Sequence, residues 1–368
     1  MRVAMVVEQI LAPLPGGTGR YTAEVAEALA AVAPTGCRVT GWVAAHRRVG
    51  AARLRGVRGP RRLPLSRRAL TLAWERGVPL VPTGADVVHA PTLLAPPRAG
   101  RPLVVTVHDA VPWTHPETLT PRGVRWHRAM AERVGRSADA VVVPTAAVAR
   151  ELRRWVALPE RVVVAGAGVS GRLARPDDAA DRAVRAGAPR DGYFLSVATL
   201  EPRKGLDVLL AALAAMPHER RLPLVLVGQP GWGGVQPLEL ARDLGLRQGD
   251  VVVLGRLPDP DLAAVMAAAV AVVVPSRAEG FGLPVVEAMA AGTPVVTSDD
   301  PALVEVGGDA TFVAPIGDVA ALAAALTELV DGPGLRRDMA ARGLARAGQF
   351  TWERTARTLW DLYRDLPR

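Results

Sequence analysis

The sequence predicts an α/β protein built from two doubly wound parallel sheets. Short apolar segments that suit buried strands alternate with amphipathic helices along the chain, and they fall into two successive sets. The 368 residues include only 8 Trp, 3 Tyr and 4 Phe, and the apolar content is mainly Ala, Val and Leu, as expected of helices over buried parallel strands. Ligands of such sheets bind at the carboxyl ends of the strands, so function is expected in the loops that follow them.

The first set of predicted strands fills the amino-terminal part of the chain, at 3–7, 38–44, 86–90, 103–107, 140–144 and 161–166. The helix after the first strand has apolar residues at the helical period, namely Tyr21, Val25, Ala28, Leu29 and Val32. These elements predict a first domain at 1–170.

The second set of predicted strands lies at 193–198, 222–228, 250–255, 270–275, 293–298 and 310–314. Before it, 176–190 is polar and has no strand pattern, so we predict a linker at 171–190 and a second domain at 191–350. In 351–368 one helical face carries Trp352, Ala356, Leu359, Trp360 and Tyr363. Such a face must pack on something, and we predict that this helix returns to the first domain.

Composition excludes several classes of protein. A single cysteine, Cys37, rules out an intramolecular disulfide framework and favours the cytoplasm. Glu8 and Gln9 interrupt the apolar amino terminus, which suits a buried strand better than a signal peptide. There is no uninterrupted apolar run of about 18 residues, so no transmembrane helix is predicted.

The net charge of +9 is concentrated between His46 and Arg76, a segment that contains ten arginines and a single acidic residue, Glu75. The rest of the chain is balanced, so nucleic acid is not an expected partner. Glycine and proline interrupt this segment, which predicts that much of it is loop. We expect the Arg47–Arg68 region to contact an anionic membrane peripherally, at the inner face of the cell membrane, or an anionic acceptor. A merely solvated surface is the alternative.

The strongest motif is "SRAEGFGLPVVEAMAAGTPVV" at 276–296. A strand is followed by Glu279, a turn with two glycines, and a helix that Pro284 suits in its first turn. Free N–H groups at the start of that helix would face the oxygens of a polar or anionic ligand. Glu287 is about one turn inside the helix, so it and Glu279 could contact one extended ligand. For the spacing alone, two unrelated surface carboxylates are the alternative.

The turn "EPRKG" at 201–205 contains the only lysine among 45 basic residues. A compact ammonium directs its charge at one point, which a planar guanidinium does not replace. A functional requirement at Lys204 is therefore one interpretation, and chance is the other.

Together these motifs resemble the retaining glycosyltransferases of family four, which have the GT-B fold. The E-x7-E element at 276–296 is joined, in order, by matching segments over nearly the whole chain except about 45–80 and 170–190. These segments are 16–29, 105–113, 138–154, 193–213, 224–234, 251–269 and 350–356. The resemblance implies two Rossmann-like domains facing a central cleft, with a carboxyl-terminal helix crossing back. Two departures are Ala198 and Thr199, where many relatives have an arginine, and 165–170, which lacks the usual Asn-Gly.

The resemblance implies transfer of a hexose, without metal or cofactor, from a nucleotide-diphosphate sugar to an acceptor hydroxyl. The acceptor would be a glycan, a lipid-linked molecule or a small molecule. Arg203 and Lys204 would hold the diphosphate, Glu287 the ribose hydroxyls, and Glu279 would lie beside the transferred sugar. His108 would contact that sugar.

The remaining implied donor contacts are Gly16 and Gly17 over the phosphates, Gly228 and Arg256 at the base and its ribose, and the backbone N–H groups of Phe281, Gly282 and Leu283 at the sugar. The turn sequences favour GDP-mannose or a related GDP-sugar. A UDP- or dTDP-sugar transferase and an inactive nucleotide-sugar-binding protein are the alternatives. A nicotinamide dehydrogenase is disfavoured, because "GGTGRYT" lacks the G-x-G-x-x-G spacing.

Overall fold

The computed structural model describes residues 1–367, which form two compact units. Unit 1 contains Met1–Trp113, Thr120–Gly168 and the chain from Thr351 onward. Unit 2 contains Thr114–Leu119 and Val169–Phe350. The chain therefore leaves unit 1, builds almost all of unit 2, and returns.

Unit 1 has a parallel sheet of seven short strands. They are β1 (Arg2–Val6), β2 (Arg38–Val43), β3 (Arg58–Arg62), β4 (Val87–Ala90), β5 (Leu103–Thr106), β6 (Ala140–Val143) and β7 (Val162–Val164). The spatial order is β3-β2-β1-β4-β5-β6-β7. The order reverses between β1 and β4, which makes that position the topological switch point of the sheet.

Five helices accompany these strands along the chain. They are α1 (Gly16–Ala31), α2 (Arg67–Glu75), α3 (Val111–Thr114), α4 (Pro121–Ser137) and α5 (Ala146–Leu152). Strands β4, β5 and β6 are buried along their whole length, as expected for a parallel sheet covered on both faces.

Unit 2 has a parallel sheet of six strands. They are β8 (Phe194–Val197), β9 (Leu224–Val227), β10 (Val251–Gly255), β11 (Ala271–Val274), β12 (Val295–Ser298) and β13 (Phe312–Ala314). The order β10-β9-β8-β11-β12-β13 places the switch point between β8 and β11. Both sheets are doubly wound, so the predicted fold class is confirmed.

Unit 2 has eight α-helices within its described residues. They are α6 (Ala179–Arg185), α7 (Leu206–Ala215), α8 (Pro237–Asp243), α9 (Asp259–Ala268), α10 (Leu283–Ala290), α11 (Pro301–Gly307), α12 (Val319–Asp331) and α13 (Pro333–Ala347). Helix α6 lies in the segment 171–190 that the sequence assigns to a linker. It packs on α9, buries Ala179 and Ala183, and joins Arg182 to Asp261 at 2.7 Å.

The last described helix, α14 (Trp352–Asp365), belongs to unit 1. All five residues of its predicted apolar face are buried. It packs on α1, where the Trp360 indole Nε1 donates to the Leu29 carbonyl at 2.9 Å and the rings of Tyr21 and Trp352 meet edge to face. The predicted return of this helix to the first domain is confirmed.

The basic segment 46–76 contains strand β3 and helix α2, which the sequence did not predict. The rest of it is loop apart from a short 3-10 turn at Gly50–Ala52, in agreement with the prediction that much of it is loop. The sequence of β3, "RGPRR", has no apolar residue and includes Gly59 and Pro60, which an edge strand tolerates. Helix α2 is anchored by the buried side chains of Leu70 and Trp74, whose indole donates to the Leu80 carbonyl at 2.8 Å.

Among residues 1–367, no helix combines the length and the apolar composition that crossing a membrane requires.

Candidate functional site

The loops that follow β8 and β11 meet at the switch point of unit 2. Arg203 and Lys204 lie in a single 3-10 turn after β8, and Glu279 lies in the loop after β11. Gly205 ends that turn with a φ of 65°, and a Cβ atom on it would lie 2.1 Å from the Pro275 carbonyl oxygen. Only glycine fits both the backbone angle and this close approach of the two loops.

Glu279 gathers the two cations. The Lys204 ammonium donates to its Oε1 at 2.5 Å, and an Arg203 guanidinium nitrogen is 3.3 Å from its Oε2. The Ser276 hydroxyl also donates to Oε1, at 2.8 Å. The side chains of Lys204 and Glu279 are only 16% and 9% exposed, so these charges are held largely out of water.

The environment of this cluster changes both pKa values. Burial raises the pKa of Glu279, but Lys204, Arg203 and the Ser276 hydroxyl outweigh it and lower that pKa to about 2. Burial and the neighbouring Arg203 lower the pKa of Lys204, while Glu279 opposes that shift. Glu279 is therefore a carboxylate in the folded protein.

Arg277 joins the two loops and was not identified from the sequence. Its guanidinium donates to the Pro202 carbonyl at 2.8 Å and to the Asp207 carboxylate at 2.9 and 2.6 Å. Its backbone N–H donates to the Arg203 carbonyl, and the Arg203 guanidinium donates to the Ala278 carbonyl. These contacts fix the position of the Arg203 and Lys204 turn.

Asp300 supports Glu279 from the end of β12. One of its carboxylate oxygens accepts the Glu279 backbone N–H at 3.2 Å, and the other caps helix α11 by accepting from Ala302 and Leu303. Burial raises the pKa of Asp300. An aspartate before Pro301 is a sequence signal for a helix N-cap, but the contact with Glu279 depends on the tertiary fold.

Glu287 lies one turn inside α10 and is 4% exposed. The helix begins at Leu283 after Gly282, whose φ is 84° and whose added Cβ would lie 2.5 Å from a Leu303 methyl group. Phe281 is buried against the ring of Phe350. Glu287 is buried and the Glu279 side chain is only 9% exposed, which does not fit the alternative of two unrelated surface carboxylates.

Gly228 and Arg256 follow the next two strands of the same sheet edge. Gly228 has a φ of 155°, and a Cβ atom on it would lie 1.8 Å from the Ala198 carbonyl oxygen. The Gly228 N–H donates to the Gly255 carbonyl at 2.8 Å, and this hydrogen bond keeps the exposed residue Arg256 close to Gly228. The predicted donor residues of unit 2 thus follow one edge of the sheet, from β10 to β11.

His108 follows β5 in unit 1. Its Nε2 is 2.8 Å from the Pro91 carbonyl, which can only accept, so Nε2 carries the proton and Nδ1 is the acceptor of the neutral ring. Tyr21 packs edge to face on the imidazole, with ring centroids 4.8 Å apart. Burial lowers the pKa of His108 even though Pro91 and Asp109 oppose this.

A second histidine, His89, is fully buried near His108 and was not identified from the sequence. Its Nδ1 is 2.6 Å from the Tyr363 hydroxyl of α14, and its Nε2 is 2.9 Å from the Thr106 hydroxyl of β5. Burial and His108 lower its pKa to about 3, so the ring is neutral. This network ties α14 to the strand that precedes His108.

Gly16 and Gly17 form the first turn of α1, and Gly16 has a φ of 59°. They follow Glu8, which is buried at the end of β1. The Glu8 carboxylate accepts the Ala44 N–H at 2.8 Å and is 2.7 Å from His46 Nε2. Glu8 therefore joins the loops after β1 and β2, a role that the sequence alone did not indicate.

The structure brings Arg203, Lys204 and Glu279 into direct contact and places Gly282, Leu283 and Glu287 on the adjoining helix. In unit 1, Gly16, Gly17 and His108 lie at the carboxyl side of β1 and β5. Among residues 1–367, no group of three or more His, Cys, Asp or Glu side chains is arranged to hold a metal ion.

Two families match the chain in succession. The family described as Glycosyltransferase Family 4 matches residues 15–170, and the family described as Glycosyl transferases group 1 matches residues 177–346.

Two curated proteins illustrate the similarity. O-antigen chain mannosyltransferase B of Escherichia coli is 36% identical over 278 residues, which cover 73% of this chain and 71% of that protein. MMP alpha-(1->4)-mannosyltransferase of Mycolicibacterium hassiacum is 34% identical over 314 residues, which cover 79% and 71%. Anabaena HepE, solved in complex with UDP and glucose, has a TM-score of 0.78 at 20% identity, with all of both chains covered. This last similarity concerns the fold.

Proposed function

We propose that this chain, which belongs to glycosyltransferase family 4 and has its GT-B fold, moves a hexose from a nucleotide-diphosphate sugar to an acceptor hydroxyl with retention of anomeric configuration. It is a glycosyltransferase by its family; the donor, the stereochemistry and the roles of individual residues are the proposal. The observation that carries it is the cluster of Arg203, Lys204 and Glu279 at the switch point of unit 2.

The chemistry of this cluster suits a departing diphosphate. Negative charge grows on the diphosphate as the bond to the sugar breaks, and fixed cations stabilise that charge without reorganising. Arg203 offers a planar fork and Lys204 a point charge, and Glu279 holds both in place. Glu287 would accept from ribose hydroxyls, and Glu279 and His108 would contact the sugar.

GDP-mannose or a related GDP-sugar is the proposed donor. The turns at 198–205 and 16–22 resemble branches that use such donors, and the two relatives described above are mannosyltransferases by name. A UDP-sugar is the second candidate, because the HepE structure contains UDP and glucose. A dTDP-sugar is the third.

A thermal-shift panel with GDP, UDP, dTDP and ADP tests the donor, because a ligand that binds only the folded protein must raise its melting temperature. We expect GDP to give the largest shift. The matching nucleotide sugar should then be hydrolysed slowly without acceptor. Binding without any hydrolysis or transfer would support the inactive nucleotide-sugar-binding protein instead.

The stereochemistry is tested on the product. NMR of the new glycosidic bond should show the donor's anomeric configuration. An inverted product would overturn the retaining mechanism and leave the fold assignment intact.

We also propose that the loop after β2 and the start of α2 meet an anionic acceptor or an anionic membrane surface. Arg47, Arg48 and Arg68 are exposed there, and no carboxylate in the described chain pairs with them. Near an anionic membrane each arginine contributes on the order of 1 kcal/mol. Sedimentation with anionic vesicles should be salt-sensitive and should weaken when these three become Ser. If the wild-type protein does not sediment with such vesicles at low salt, these arginines form only a solvated surface.

A further inference from the structure

The arginines of the basic segment 46–76 lie in two separate places in unit 1, at the carboxyl ends of strands and within strand β3. Arg47, Arg48 and Arg68 follow the carboxyl ends of β2 and β3, whereas Arg58 and Arg61 lie within β3 itself. Paired residues of neighbouring parallel strands point to the same face of a sheet. The structure pairs Arg2 with Arg38, Thr40 with Arg58, and Trp42 with Arg61, so four arginines from three strands share one face.

These four arginines line a pocket of about 200 Å³. Thr40 and Trp42 form part of its wall, and the segment 83–85 before β4 completes it. Arg2 and Arg38 are the first residues of their strands, so the pocket includes the amino ends of β1 and β2. It is separate from the loops at the carboxyl ends, where the site described above lies.

The charge of the pocket is unbalanced. Arg2 is neutralised by Asp86, whose carboxylate accepts hydrogen bonds from the Arg2 guanidinium at 2.7 Å and from the Arg2 backbone N–H at 2.7 Å. These contacts lower the pKa of Asp86 even though burial opposes them. In the part of the chain that the structure describes, no carboxylate lies within 4.0 Å of the Arg38, Arg58 or Arg61 guanidinium. Three like charges are thus gathered in one concavity.

One of these cations is also held in position. The Arg61 guanidinium lies over the Trp42 ring, 5.7 Å from its centroid, and Trp42 is buried. Stacking on an aromatic face leaves the edge nitrogens of a guanidinium available for an anion. Arg38, Arg58 and Arg61 are exposed to solvent, and a dianion bound in the pocket would be attracted by all three.

We propose that this pocket binds a phosphomonoester group, outside the donor site. Guanidinium groups match the geometry of phosphate oxygens and form charge-assisted hydrogen bonds with them, and a phosphomonoester carries close to two negative charges. The volume is below the roughly 300–1,000 Å³ of pockets for drug-sized ligands, so the pocket suits a phosphate with a small organic group rather than a nucleotide sugar. The phosphate belongs either to a small soluble ester or to a lipid headgroup.

The test uses the full chain and two triple variants that remove equal charge. The pocket variant is Arg38→Gln, Arg58→Gln and Arg61→Gln. The control variant is Arg153→Gln, Arg337→Gln and Arg354→Gln, which are exposed arginines without a carboxylate partner in the described chain. Neither set includes a residue assigned to the donor, so the thermal shift with the preferred nucleotide should be unchanged in both.

The first probe is glycerol 3-phosphate, measured by calorimetry at low salt. We expect it to bind the wild type and the control variant, and to bind the pocket variant at least about tenfold more weakly, because charged hydrogen bonds are lost. The second probe is phosphatidylcholine vesicles with and without phosphatidic acid. If the soluble ester does not bind and sedimentation with phosphatidic acid depends on the pocket arginines, the source is a lipid headgroup.

The proposal is overturned if neither probe binds the wild type, or if the two triple variants lose binding equally. Circular dichroism and the melting temperature verify folding. Should the pocket triple variant fold poorly, the single variants Arg38→Gln and Arg58→Gln take its place and should each weaken binding.

Discussion

Lys204 is the only lysine in the chain, and its ammonium lies 2.5 Å from Glu279 at the switch point of unit 2. An arginine at this position would carry the same charge on a larger planar group, next to Arg203 on the same carboxylate. The charge would persist, but its position relative to one oxygen of a diphosphate would change.

We therefore predict that Lys204→Arg lowers kcat/KM by at least about tenfold, which corresponds to about 1.4 kcal/mol. Steady-state kinetics with the donor found in the nucleotide panel measure it, and the melting temperature shows whether folding is affected. Wild-type kinetics in a folded variant would mean that the lone lysine reflects composition and not function.

The two glutamates should differ in their effects. Glu287→Ala should mainly raise KM for the donor, because its proposed ribose contact exists in the ground state and the transition state alike. Glu279→Ala should mainly lower kcat, because its proposed contact is with the reacting sugar and because it holds both cations. Equal effects of the two substitutions on kcat and KM would contradict these separate roles.

The lowered pKa of Glu279 also predicts that the stability of the folded protein depends on pH. Its pKa is about 2 in the folded protein against an ordinary value of 4.5, so the carboxylate favours the folded state. This contribution is complete above about pH 4.5 and is lost as the pH falls towards 2. The melting temperature of Glu279→Gln should be below that of the wild type at pH 6, and the gap should narrow in acid. The exposed Glu239→Gln is the control, and a gap independent of pH would contradict the prediction.

At the scale of single elements, the turn that ends in Gly205 tests how the site is assembled. Alanine at a φ of 65° costs about 1–2 kcal/mol by itself. Gly245, with a φ of 76° and no atom within 4 Å of an added Cβ, has the same backbone cost without the contact. Gly205→Ala should lower the melting temperature more than Gly245→Ala, and it alone should weaken the nucleotide thermal shift. Equal losses would show that the contact with Pro275 is unimportant.

The elements that the sequence predicted well are those whose own residues specify them. Valine-rich runs identified β4, β6, β11 and β12, because strands buried on both faces are mostly apolar. Strand β3 was missed because its pairing with β2 is a tertiary contact that arginines and Pro60 do not reveal. Helix α6 was missed for a similar reason. Its short apolar face is specified by packing on α9, which is a tertiary contact.

The residues of the candidate site likewise fall into those that a local sequence pattern indicates and those that only tertiary contacts reveal. Glu279, Glu287 and the Arg203–Lys204 pair lie in motifs with a recognisable local pattern of glycine, proline and charge. Asp300 and Arg277 act on backbone groups 21 and 75 residues away in the chain. No local pattern encodes such contacts, so they became visible only when the loops of unit 2 were seen together.

At the scale of the whole molecule, the positive charge proposed for the diphosphate comes from the chain itself, through Arg203 and Lys204. We therefore predict that glycosyl transfer survives a chelator such as EDTA. The measurement is initial rate with and without chelator, followed by readdition of Mg²⁺ or Mn²⁺. A loss of activity that only the ion restores would contradict this distribution of charge.

Unit 1 is discontinuous: α14 is joined to it only after the chain has built nearly all of unit 2. On the ribosome, roughly 190 residues must be added after Gly168 before Trp360 can reach Leu29 on α1, which takes between about 10 and 40 s at ordinary elongation rates. Throughout that interval the nascent amino-terminal unit lacks its closing helix, and the apolar side of α1 is a surface that chaperones can bind. The order of synthesis thus makes unit 2 the first to be complete, although most of its residues are translated second.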